Sequence, residues 1–102
     1  MNDQKLATEL LQETAQISWR ELQRFFASGH AIAVHSSLDL IYVATQITND
    51  NAPQIKTWMN DGLVDVVKDS QAKDWFEQDA VVWALVIKPW VLVQQKTEPK
   101  YE

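Results

Sequence analysis

Apolar and polar positions divide this chain into short blocks of different period. Leu6, Leu10, Leu11 and Ile17, with Ala7 and Thr14 between them, fall on one side of a helix running from about Asp3 to Gln16. Glu9 and Glu13 take its wetter side. A second helix has a start signal: Ser18 as N-cap and Glu21 at N3 form a capping box, with Ile17 and Leu22 as the hydrophobic staple. Leu22, Phe25 and Phe26 give it an apolar face, and Gly29 suits the left-handed residue that closes it.

Ala31-Ile32-Ala33-Val34 is short, apolar and bounded by that glycine, so it predicts the first strand. Ser36 can cap the next helix, with Asp39 at N3 and Leu40, Val43, Ala44 and Ile47 on one face. A strand over Asp39 to Val43 is the rival reading, because Ile41, Tyr42 and Val43 favour strands. Pro53 suits the first turn of a helix from Ala52 to Asn60, closed by Gly62. Leu63 to Val67 predicts a second strand, and Gln71 to Gln78 a short helix with Ala72, Trp75 and Phe76 inward.

The most apolar stretch runs from Val81 to Val93, interrupted by Lys88 and Pro89. Both alternating sets of its first half are apolar (Val82, Ala84, Val86 and Trp83, Leu85, Ile87), which predicts a strand covered on both faces. Pro89 has no N–H for a ladder, so that strand should end or bulge near Lys88. Trp90 to Val93 then reads as an edge strand, before a polar tail over 96–102 beyond a single domain of residues 1–95. An apolar edge needs a cover, and a second copy of the chain is one. The expected fold is α+β: a small mixed three-stranded sheet layered with about five helices, in the order ααβααβαβ.

Composition narrows the functions. Apolar residues make up 46% and charged residues 23% of the 102, an ordinary globular balance. No cysteine is present, which excludes disulfides, thiol catalysis and cysteine-ligated zinc or iron–sulfur sites, and fits a reducing cytoplasm. The first five residues lack the basic and apolar regions of a signal peptide, and the apolar stretch is too short to cross a bilayer. A net charge of −5 disfavours nucleic acid as a partner.

Candidate chemistry is sparse. His30 and His35 flank the first strand, and five residues of strand send them to opposite faces, so no shared metal is expected. His35-Ser36-Ser37, with Asp39 beyond, is the most site-like run: a strand end opening into a helix start offers free N–H groups to an anion or carboxylate. Plain helix capping explains Ser36, Ser37 and Asp39 as well. The acidic residues are scattered and read as solvated surface. Of five tryptophans, Trp58, Trp75 and Trp83 sit on core faces, whereas Trp19 and Trp90, with Val91 and Val93, are candidate contact residues.

Several runs resemble a family of small uncharacterised bacterial proteins that carry a domain of unknown function. They are Glu13-Thr14-Ala15-Gln16-Ile17-Ser18-Trp19 with Glu21-Leu22, Arg24-Phe25-Phe26-Ala27, Leu38-Asp39-Leu40, Trp58, and the C-terminal Pro89-Trp90-Val91-Leu92-Val93-Gln94. The resemblance spans about residues 6 to 95 and implies a bacterial, cytoplasmic origin, with no assigned activity and no catalytic residues. The expectation is therefore a non-enzymatic interaction domain, homodimeric or bound to another protein, with no cofactor, metal, nucleic acid or membrane. The alternative is a small-ligand binder or minor enzyme with a pocket at His35, Ser36, Ser37 and Asp39.

Overall fold

The computed structural model describes residues 3–95. The expected polar tail over 96–102 lies outside them, as do Met1 and Asn2.

The chain is α+β, with five α-helices and one mixed sheet among the described residues, but the sheet has five strands, not three. Helix α1 spans Asp3–Glu13 and strand β1 spans Ala15–Ser18. A 3-10 turn (Trp19–Leu22) leads into α2 (Gln23–Ala27), then β2 (Ala31–Val34), α3 (Leu40–Thr48) and α4 (Ala52–Asn60). The chain finishes with β3 (Val64–Val66), α5 (Asp69–Glu77), β4 (Val81–Ile87) and β5 (Trp90–Gln95). In space the strands lie in the order β1-β4-β5-β2-β3, with β5 and β2 parallel and every other pair antiparallel.

Strand β1 corrects two readings, that the first helix runs on to Gln16 and that Ser18 caps a second one. Helix α1 stops when the Thr14 N–H and Oγ1 both donate to Leu10 O, at 3.1 and 2.8 Å. Ala15 to Ser18 then pair with Ala84 to Val81, on the side of β4 that β5 leaves free. Ser18 is thus strand, and its side chain makes no cap bond, so the expected capping box does not form.

Strand β5 carries the larger correction. It is not an edge: it lies between β4 and β2 and pairs with both. Its run Val91-Leu92-Val93 is apolar on both faces, as a central strand requires, and the strand continues through Gln94 and Gln95. Pro89 does no harm because it sits with Lys88 in the two-residue turn between Ile87 and Trp90, ahead of the ladder.

Helices cover both faces. On one, Trp19, Leu22, Ala72 and Trp75, from the 3-10 turn and α5, pack on Ala31, Val82, Ala84, Val91 and Val93. On the other, Leu10, Leu40, Val43, Ala44 and Trp58, from α1, α3 and α4, pack on Val34, Val64, Leu85 and Leu92. Helix α3 prevails over the strand reading because Asp39 caps it, Oδ1 accepting the Ile41 N–H at 2.9 Å; Ser36 is not the cap. Pro53 stands in the first turn of α4, as expected, and Asn51 caps that helix. Gly29 and Gly62 close α2 and α4 with φ of +79° and +75°.

Candidate functional site

The expected site breaks into two parts. A cleft of about 480 Å³ opens at the carboxyl ends of the parallel strands β2 and β5. His35 and Ser36 line it, and Gln95 contributes from the last position of β5. Lys68, Ser70 and Gln71 enter from the start of α5, and Asp65 from β3. Asp39 is not on its wall; it borders a smaller cleft with Leu11, Thr14 and Trp83. Ser37 is also absent from the wall and serves His35 instead.

His35 is fixed by its neighbours. Its N–H donates to Leu63 O at 2.8 Å, extending the β2–β3 ladder by one pair. The Ser37 backbone N–H donates to His35 Nδ1 at 3.0 Å, and the Ser37 hydroxyl lies 2.8 Å from the same nitrogen. Because Nδ1 accepts the backbone N–H, the proton of the neutral ring sits on Nε2. Ser37 and His35 are therefore joined in a local turn. Among the described residues no carboxylate hydrogen-bonds the ring, so the third member of a nucleophile–base–acid relay is missing. Nor does any group of three His, Asp or Glu side chains gather as a metal site among the described residues.

The loop that carries these residues is tied to the sheet from β5. Gln94 Nε2 donates to His35 O at 3.0 Å and to Leu38 O at 2.7 Å, spanning the turn between β2 and α3.

The expected contact residues are placed differently. Trp19 is fully buried, its Nε1–H donating to Ala72 O at 3.1 Å and its ring meeting Trp75 edge-on at 5.0 Å. Val91 and Val93, 1% and 0% exposed, are core. None of the three can form an outer contact surface, because β5 is central and the 3-10 turn packs Trp19 inward. Trp90 alone remains accessible, with its ring edge-on to His30 at 5.4 Å.

The true sheet edges are β1 and β3, and they differ. On β3, His35 with Leu63 and Ala31 with Val67 are hydrogen-bonded pairs, so by alternation Val64 and Val66 turn their N–H and C=O outward. The Asp65 carboxylate intercepts the Val66 N–H at 2.8 Å. On β1, Trp19 N–H bonds Ala80 O, so Ile17 and Ala15 spend their backbone groups on β4, and Gln16 and Ser18 face outward. No charge or proline lies within Ala15–Ser18. Beside it runs a groove of about 780 Å³ floored by Ile17, Phe25, Ala84 and Val86 and rimmed by Glu21 and Lys88. No single motif in the sequence marks this edge; the uncharged run Thr14-Ala15-Gln16-Ile17-Ser18 is its one signal.

The comparisons with known proteins agree with one another. The family model described as a protein of unknown function, DUF2288, matches residues 5–95. The chain belongs to this family. It is similar to a solved structure described as the NMR solution structure of PA1075 from Pseudomonas aeruginosa, with 41% identity and a TM-score of 0.81. The match covers 92% of this chain and 87% of that one. No curated protein matches it. The family carries no assigned activity in its description, and no helix among the described residues is long and apolar enough to cross a membrane.

Proposed function

We propose that this DUF2288 chain is a self-associating interaction domain, and that two copies join through β1. The observation that carries the reading is the unguarded β1 edge, which leaves the outward N–H and C=O of Gln16 and the N–H of Ser18 open while Asp65 guards the other edge; Ser18 O, at the N-cap of the 3-10 turn, already takes the first bond of that turn. Edge strands with free N–H and C=O groups are templates for another strand, and natural sheets blunt them with charge or proline unless pairing is wanted. A two-fold axis through Ile17 sets Gln16 opposite Ser18 of the second copy, so that outward groups meet in antiparallel register. The two Ile17 side chains then lie side by side, continuing the groove where Val86 is 49% exposed.

A bacterial cytoplasm is the setting we infer. The Pseudomonas source of the similar structure and the absence of cysteine from the 102 residues support it. The Pro89-Trp90-Val91-Leu92-Val93-Gln94 run, which we take as a family signature, serves the fold, because it builds the central strand.

Light scattering after size exclusion tests the pairing, with Gln16→Pro as the variant. Gln16 gives no bond to β4, so proline there removes an outward donor and leaves the sheet's own ladder complete. The expected result is a dimer for the native chain and a folded monomer for Gln16→Pro. A native chain that is monomeric at every concentration, or a dimer unaffected by Gln16→Pro, overturns the proposal.

A further inference from the structure

The helices on one face of the sheet leave a row of its side chains uncovered. Ile32 pairs with both Val66 and Leu92, so these three share a face, and by alternation Val64 and Trp90 lie on it too. Val64 and Leu92 are buried in the core with side chains of α3 and α4. At the end of the sheet where β2 and β5 begin and β3 finishes, Val66 is 46% and Trp90 37% exposed.

Here the sheet and α4 part to leave a cleft of about 560 Å³. Ile55 and Met59, one turn apart on α4, line it from the helix side together with Ile47 of α3. Ile32, Val66 and Trp90 line it from the sheet. Met59 is 49% exposed, so the cleft gathers Met59, Val66 and Trp90 from the exposed large apolar side chains into one place. Its charged residues are Asp50, Lys56 and Asp65. Asp50 and Lys56 are exposed and of opposite sign, and the Asp65 carboxylate already holds the Val66 N–H.

Size and edge chemistry decide the kind of occupant. Three partly exposed side chains fall well short of the ~800 Å² per partner that a stable protein interface buries. The adjoining β3 edge is blocked to an added strand at the Val66 N–H. The volume, in contrast, lies within the range of about 300–1,000 Å³ usual for small-molecule clefts. Trp90 offers an aromatic surface, its ring edge-on to His30 at 5.4 Å, and Met59 a polarizable thioether; both favour a ring over an alkyl chain. We propose that this cleft binds a small neutral aromatic molecule of one or two rings. An ionised ligand is disfavoured because its charge would lie against branched apolar walls. The cleft is lined by no residue of β1, so the inference is independent of the β1 pairing.

NMR of the full chain at fixed concentration tests this, following the Met59 methyl group and the Trp90 indole N–H while indole, benzyl alcohol, benzoate or benzylamine is added alone. The expected result is saturable movement of both signals with indole or benzyl alcohol, and binding about tenfold weaker or more for benzoate and benzylamine. Met59→Lys, at an exposed position in the last turn of α4 where a cation suits the helix dipole, should keep the fold and weaken indole binding about tenfold or more. Leu11→Lys, at an exposed apolar residue of a different cleft, should leave it unchanged. No saturable movement with either neutral ring, a charged ring that binds as well, indifference to Met59→Lys, or an equal loss in Leu11→Lys would each overturn the assignment. Movement of the same two signals with protein concentration alone would overturn it too, by making a second copy the occupant.

Discussion

The Asp65 carboxylate accepts the backbone N–H of its own neighbour Val66 at 2.8 Å, and so closes one outward donor of the β3 edge. Val66 is among the exposed large apolar residues, so this edge combines an apolar side chain with a backbone that would otherwise recruit a strand.

Removing the guard should therefore open a second association site. In Asp65→Ala, we expect species larger than the native form, growing with concentration, because β1 and β3 contacts together extend a sheet without closing it. Asp65→Asn keeps an acceptor oxygen and should stay close to native. Static light scattering over a concentration series decides it. An Asp65→Ala chain no larger than the native one would show that the carboxylate does not protect the edge.

Lysine on β5 should unfold the chain instead of dissociating it. Val91 and Val93 are buried between β4 and β2, and a single lysine there places an unpaired ammonium in the core. Either substitution should cost roughly 3 kcal/mol or more, from lost packing and the buried charge together. Circular dichroism with thermal melting distinguishes the outcomes: loss of the cooperative transition is expected. A well-folded monomer with native melting would mean that β5 does lie at an edge.

How legible this was in the sequence depended on how far each element's signal lay from its partners. Helix α4 carries a local instruction, Pro53 ahead of an apolar face, so its existence could be read directly; α3 was open to a rival strand over Asp39 to Val43 because its cap is Asp39 and not Ser36. Strand β4 was clear because both its faces are apolar. Strand β1 was not, because Ile17 fits both a helical face and a four-residue strand, and only the free side of β4 decides between them. For β5, proline and a following polar tail suggested an edge, although Val91-Leu92-Val93 already had the two-faced pattern of a central strand. Of the four residues singled out at the end of the first strand, His35 and Ser36 line one cleft, and Ser37 and Asp39 do not. Lys68, Ser70 and Trp75 lie more than thirty residues away in the chain, and only the β2–β3 pairing and the packing of α5 bring them there.

The final prediction concerns Gln94, which holds the His35 loop in place. Both of its Nε2 hydrogens are used, on His35 O at 3.0 Å and Leu38 O at 2.7 Å, so one side chain on the central strand sets the path from β2 into α3. Gln94→Ala should lose about 1–2 kcal/mol, because two backbone carbonyls lose a donor and the one on Leu38 is part-buried. Gln94→Glu is the sharper variant: it keeps the size, removes both donors and sets a carboxylate against two carbonyl oxygens, so it should cost more than alanine. Urea unfolding gives the order, and amide exchange at Leu38, whose N–H bonds His35 O at 3.0 Å, reports the loop itself. Native stability in Gln94→Glu, with unchanged exchange at Leu38, would show that the loop is held by α3 packing alone.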